Sequence, residues 1–125
     1  MKSRDAAVRA KRFDADEKGR KAADLEVMIR DFEVMAADLD RQIATEEERT
    51  GVRDRVHFAY STFAKAAALR RDNIVTSVAD LRAKLDGARR EHEDALAELK
   101  RVEAMDVTEH DRSRRRTERN GAILG

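Results

Sequence analysis

The chain reads as an all-α protein, a long antiparallel two-helix coiled-coil hairpin. Three observations predict this. Asp, Glu, Lys and Arg make up 42% of the 125 residues, aromatics are 4%, and proline and cysteine are absent. That is the composition of long helices and not of a multilayer globule. Two segments of similar length carry residues at alternating spacings of three and four, the pattern of a heptad seam. A stretch that favours helix less and carries a glycine separates them.

The first arm is expected over about residues 3–49. Leu25, Ile29, Phe32, Ala36, Leu39 and Ile43 are spaced 4, 3, 4, 3 and 4. The same frame continues backward through Ala22, Lys18, Ala15, Lys11 and Val8, so the seam weakens and turns partly basic toward the N-terminus. Met28 and Met35 lie beside it and are expected to widen the apolar stripe. Gly19 is a soft spot, costing about 1 kcal/mol against alanine in a helix interior. Ser3, with Asp5 behind it, is the expected N-cap region.

The second arm is expected over about residues 61–111. Its seam is Ala64, Ala67, Arg71, Ile74, Val78, Leu81, Leu85, Ala88, His92, Ala95, Leu99 and Val102. His92 has two readings, a polar residue that fixes register at some cost in stability or a pH-sensitive contact. Between the arms lies "TGVRDRVHFAY", residues 50–60, where Gly51 is a helix stop and Ser61 or Thr62 can cap the next helix.

A hairpin symmetric about this bend pairs positions whose numbers sum to roughly 110, a heptad match. Phe32 then faces Val78, Ile29 faces Leu81, Leu25 faces Leu85, Ala22 faces Ala88, and Lys18 faces His92. The expected core is Leu25, Ile29, Phe32, Leu39, Ile43, Phe63, Ile74, Val78, Leu81, Leu85 and Leu99. Each arm of about 46 residues would be about 70 Å long at the helical rise. Residues 1–111 make one hairpin domain on this reading. Residues 112–125, "RSRRRTERNGAILG", carry five arginines against one acid and no seam, and are expected to form a frayed end and a disordered basic tail.

Three of the five aromatic residues fall within "VHFAYSTF", residues 56–63, where the hairpin turns. Phe63, in the first turn of the second helix, is expected in the core. Phe58 and Tyr60 either fold inward to plug the ends of both seams near Leu39 and Ile43, or stand out as knobs facing a partner. Rings supply large contact area at low side-chain entropy cost and are enriched at interface hot spots.

The inventory for catalysis is thin. The phosphate loop GxxxxGK[ST], the dinucleotide motif GxGxxG and the metalloprotease motif HExxH are all missing. His57, His92 and His110 are scattered, and a hairpin encloses no water-excluding pocket. The expectation is a protein that is not an enzyme, with no cofactor and no metal. The near ligand spacings, Asp54 with His57 and Asp106 with Glu109, read as solvated charge.

Lys plus Arg number 27 against 26 for Asp plus Glu, so no global field draws the chain to nucleic acid. The arginine tail lacks interleaved aromatics and reads as a solvated tail or as a strap for an acidic protein partner. No apolar run approaches the roughly 18 residues of a bilayer span, and the N-terminus lacks a secretory apolar region. A cytoplasmic protein without membrane insertion is expected. A lone two-helix hairpin has one thin seam and nothing to cover its other faces, so it is expected to lie against partners.

The segments "MKSRDAAVRAKRFDADEKGRKAADLE", "MIRDFEVMAADLDRQIATEEERTG" and "HFAYSTFAKAAALRRDNI", followed by the second heptad arm, resemble the FliJ-type flagellar export proteins of alphaproteobacteria over roughly residues 1–105. "DLDRQIATEEERTG" and "HFAYSTFAKAAALRRDN" are the more specific parts. The family leads one to expect a proline near the bend, and this chain has none. The resemblance implies a component of the flagellar type III protein export apparatus at the inner face of the cell membrane. It implies a hairpin similar to the stalk subunit of rotary ATP synthases. The implied partners are the hexameric export ATPase, the cytoplasmic part of the membrane export gate and substrate chaperones.

In that setting the termini would enter the ATPase ring. From charge alone, Arg9, Lys11, Arg12, Arg112, Arg114, Arg115 and Arg116 are the residues expected to face an acidic lumen, with Phe58 and Tyr60 as partner-binding rings at the bend. Two alternatives stand beside it: a structural coiled coil that dimerises into a four-helix bundle, and the stalk protein of a virulence-type secretion system.

Overall fold

The computed structural model describes residues 2–124, with side chains described over 3–121. Among the described residues the regular structure is all α-helix, with no strand. Helix α1 spans Lys2–Thr50 and helix α2 spans Thr62–Leu124, and the two pack against each other as a helical hairpin. Ser3 already lies inside α1 and does not cap it.

Helix α1 stops at Gly51, whose φ of 75° is the left-handed conformation open to glycine. Its N–H donates to the Glu47 carbonyl at 2.9 Å, which satisfies one of the orphan carbonyls at the helix end. Helix α2 starts from Ser61. Its hydroxyl oxygen accepts from the Ala64 N–H at 3.2 Å, the geometry of an N-cap, while its carbonyl accepts the first helical bond from Lys65 at 3.0 Å. Of the two candidate caps, Ser61 does the capping.

Contacts group the chain into two compact units, residues 23–87 and residues 1–22 with 88–125, where sequence reading had one hairpin domain ending at 111. The physical difference is the size of the seam residues. The unit of residues 23–87 buries Ile29, Leu39, Ile43, Ile74, Val78, Leu81 and Leu85. Among the described residues, the other buries only alanines, Ala15, Ala22, Ala88 and Ala95.

Within the unit of residues 23–87, every expected seam position is buried or half-buried. Leu25 and Phe32 are half-buried, because two helices cover only one side of a large side chain. Ion pairs flank the seam: Glu33 with Arg82 at 2.9 Å and Asp40 with Arg71 at 3.0 Å. These pairs lie within a few residues of the expected sum, so the register is that of a hairpin symmetric about the bend. Met28 and Met35 do not widen the buried stripe; both are exposed. They sit one position off the seam, where no third element covers them.

Phe63 corrects another expectation. It is 57% exposed and is not core. The seam of α2 begins at Ala64, and one helical step of about 100° swings the preceding side chain away from α1. There Phe63 lines a shallow groove with Gln42 and Thr45.

The unit of residues 1–22 and 88–125 follows the same frame with smaller and more polar residues. Val8, Lys11, Lys18, His92, Leu99 and Val102 are half-buried. Ion pairs link Lys21 to Glu91 at 3.9 Å, Lys11 to Glu98 at 3.8 Å, Arg12 to Glu103 at 3.5 Å and Arg4 to Glu109 at 3.6 Å. Exposed pairs of this kind contribute little each and lose strength with salt.

His92 lies over Gly19: a β-carbon built on that glycine would meet the imidazole Nε2 at 2.9 Å. The glycine read as a soft spot is thus the hole that admits the ring.

The expected disordered tail is helical in the structure, since α2 runs on to Leu124. Nothing there breaks a helix before Gly121, and a helix already formed extends without a new nucleation cost. Asp111 pairs with Arg114 at 3.2 Å and with Arg115 at 3.1 Å, one turn along. Residues 112–121 are all exposed, in keeping with their lying outside the pairing.

Candidate interaction surface

The bend, residues 51–61, separates the clustered rings by role. Phe58 is 96% exposed and Val56 91%, while Tyr60 is only 8% exposed. Tyr60 therefore folds inward as a plug, and Phe58 stands out into solvent. The Tyr60 hydroxyl donates to Glu47 Oε2 at 3.3 Å. Burial of the ring raises the phenol above its ordinary 10, and the Glu47 carboxylate adds to the rise.

Short local bonds hold the knob. The Val56 N–H donates to Asp54 Oδ1 at 3.0 Å, and the His57 N–H to the Asp54 carbonyl at 3.1 Å. An aspartate that bonds its own backbone two residues on is a usual builder of such turns. The Tyr60 N–H donates to the His57 carbonyl at 3.0 Å. The Ala59 N–H donates to His57 Nδ1 at 3.0 Å. The His57 and Phe58 rings stack at 4.7 Å with 23° between their planes. The bonds that fix the backbone of the turn reduce the freedom that binding there would otherwise have to remove.

Beneath the tip, Glu46 ties the two helix ends together. It accepts from Arg49 Nε at 3.1 Å and from the Ser61 hydroxyl at 2.9 Å. The Arg49 bond first, and the Ser61 bond second, hold its carboxyl down at about 2 against the resistance of burial. Arg55 reaches Asp72 at 3.9 Å across the start of α2.

The cations expected to meet a partner divide into two groups. Lys11, Arg12, Arg114 and Arg115 are engaged with Glu98, Glu103 and Asp111 within the chain. Arg9, Arg112 and Arg116 are exposed and form no ion pair among the described residues. A separate apolar strip runs along the outer side of α1, where Val27 and Val34, and Met28 and Met35, repeat at heptad spacing and are exposed. Sequence reading missed Val27 and Val34. Their spacing of seven, two places off the seam, was the available signal.

No described helix is long and apolar enough to cross a membrane. No family model, curated protein or solved structure matches the chain.

Proposed function

We propose that this chain is a non-enzymatic coiled-coil component of the flagellar type III protein export apparatus. It acts there as a stalk or escort between the export ATPase hexamer, the cytoplasmic part of the export gate and substrate chaperones. The reading places it in the cytoplasm, at the inner face of the membrane at the flagellar base. The observation that carries a docking role is the bend: Phe58 is 96% exposed on a turn ordered by its own hydrogen bonds. Exposed rings on preorganised elements are the usual anchors of protein interfaces. The specific apparatus rests on the resemblance of "DLDRQIATEEERTG" and "HFAYSTFAKAAALRRDN" to FliJ-type proteins; sequence pattern does not separate these from the stalk proteins of virulence-type secretion. Arg9, Arg112 and Arg116, unpaired in the described chain, are the cations best placed to meet an acidic ring lumen.

Co-purification with the cognate export ATPase and stimulation of its hydrolysis test the reading. Binding with stimulation is expected; silence in both assays refutes it. Phe58→Ala is expected to weaken binding to whichever partner meets the bend while leaving helicity intact.

A second reading is favoured by the strip of Val27, Met28, Val34 and Met35. Two copies could bury these residues against each other as a four-helix bundle. Light scattering separates the two: a stable homodimer at low micromolar concentration supports the bundle, a monomer the partner-dependent hairpin.

A further inference from the structure

Three metal-ligating side chains converge in the unit that holds the chain termini. Asp106 and His110 stand one turn apart on α2, and Asp5 comes from the start of α1. One ligand atom from each lies within 4.8 Å of the others. His110 Nε2 is 3.5 Å from Asp106 Oδ1. Two donors bound about 2.1 Å from one tetrahedral ion stand about 3.4 Å apart, so this pair is already at ligand spacing. The same Oδ1 is buried and accepts no hydrogen bond among the described residues, so its one close polar neighbour there is the His110 ring at 3.5 Å, and a further electropositive partner would offset its desolvation. Arg4 does not serve it; that guanidinium bonds the Met105 carbonyl at 3.4 Å and pairs with Glu109.

We propose that Asp5, Asp106 and His110 form a divalent transition-metal site that staples the start of α1 to α2. One imidazole with two carboxylates suits Zn²⁺, whereas Mg²⁺ and Ca²⁺ take all-oxygen shells. Three protein donors leave the fourth tetrahedral position to water. The staple lies beyond the buried alanines Ala15 and Ala95, where the seam residues Val8, Leu99 and Val102 are only half-buried. Because two of the donors lie on α2 and one on α1, affinity for the ion becomes stability of the paired state. The inference does not depend on the proposed role in export.

Titration of the full chain with ZnCl2, read by calorimetry and by thermal unfolding, tests it. One ion per chain and a rise in melting temperature that a chelator reverses are expected. At free Zn²⁺ of 100 times Kd the folding constant rises about 100-fold. His110→Ala, Asp106→Asn and Asp5→Asn should each weaken binding at least tenfold, while His57→Ala and His92→Ala leave it unchanged. Circular dichroism without zinc checks that each variant is folded. Absence of saturable binding in the micromolar range overturns the site. So does binding that survives His110→Ala. Binding indifferent to Asp5→Asn would reduce it to a local pair on α2 and overturn the staple.

Discussion

Replacing Gly19 with alanine probes the fit between the arms directly. In a free helix the change stabilises by about 1 kcal/mol, because alanine has less backbone entropy to lose. Here the new β-carbon meets His92 at 2.9 Å from Nε2, 3.2 Å from Cε1 and 3.5 Å from Cδ2. The first two are closer than ordinary packing, so the imidazole or the helix must shift. Overpacking of this kind costs about 1–3 kcal/mol. Gly19→Ala alone is therefore expected to be neutral or to destabilise by up to about 2 kcal/mol, against the helix-propensity gain. In a His92→Ala background the obstruction is gone, and the same substitution should stabilise by about 1 kcal/mol. Urea unfolding of the four proteins, with the slope m checked for constancy, yields a coupling of about 1–3 kcal/mol. If the alanine stabilises equally in both backgrounds, the imidazole gives way without cost and the proposed tight fit of the ring over Gly19 is refuted.

Phe58→Ala should leave the melting temperature unchanged, since the ring is almost wholly in solvent, while Tyr60→Ala should lower it by several degrees and fray the bend; differential scanning calorimetry that ranks them the other way refutes the division into knob and plug. Ser61→Ala removes the α2 cap and should cost about 1 kcal/mol in chemical denaturation. Glu46 is held at about 2, below its ordinary 4.5, mainly by Arg49. A depressed carboxyl contributes stability that is fully present above its unfolded value and is lost as pH falls toward its folded one. Thermal midpoints should therefore decline between pH 4.5 and about 2, and Glu46→Gln should flatten that limb; an unchanged acid limb in the variant refutes the assignment. At higher salt the midpoints should fall modestly, because the pairs of Lys11, Arg12 and Lys21 across the seam are partly or fully open to solvent and so are screened.

The alternation of threes and fours from Val8 to Ile43 and from Ala64 to Val102 determined the hairpin, its core face and the place of its bend. Gly51 and Ser61 marked the two helix ends. Such features follow from one helix at a time: a heptad repeat defines a face, and a glycine or a serine acts on its own backbone. Tertiary structure decided what depends on the other arm. Phe58, Tyr60 and Phe63 are equally aromatic in the sequence, yet only Tyr60 has Glu47 and the closing ends of both helices to receive it. His92 was expected opposite Lys18, and that its ring also lies over the adjacent Gly19 depends on how the two arms pack, which no single-helix pattern encodes. The meeting of Asp5 with Asp106 and His110 is of the same kind, for it joins residues a hundred positions apart through the register of two packed helices.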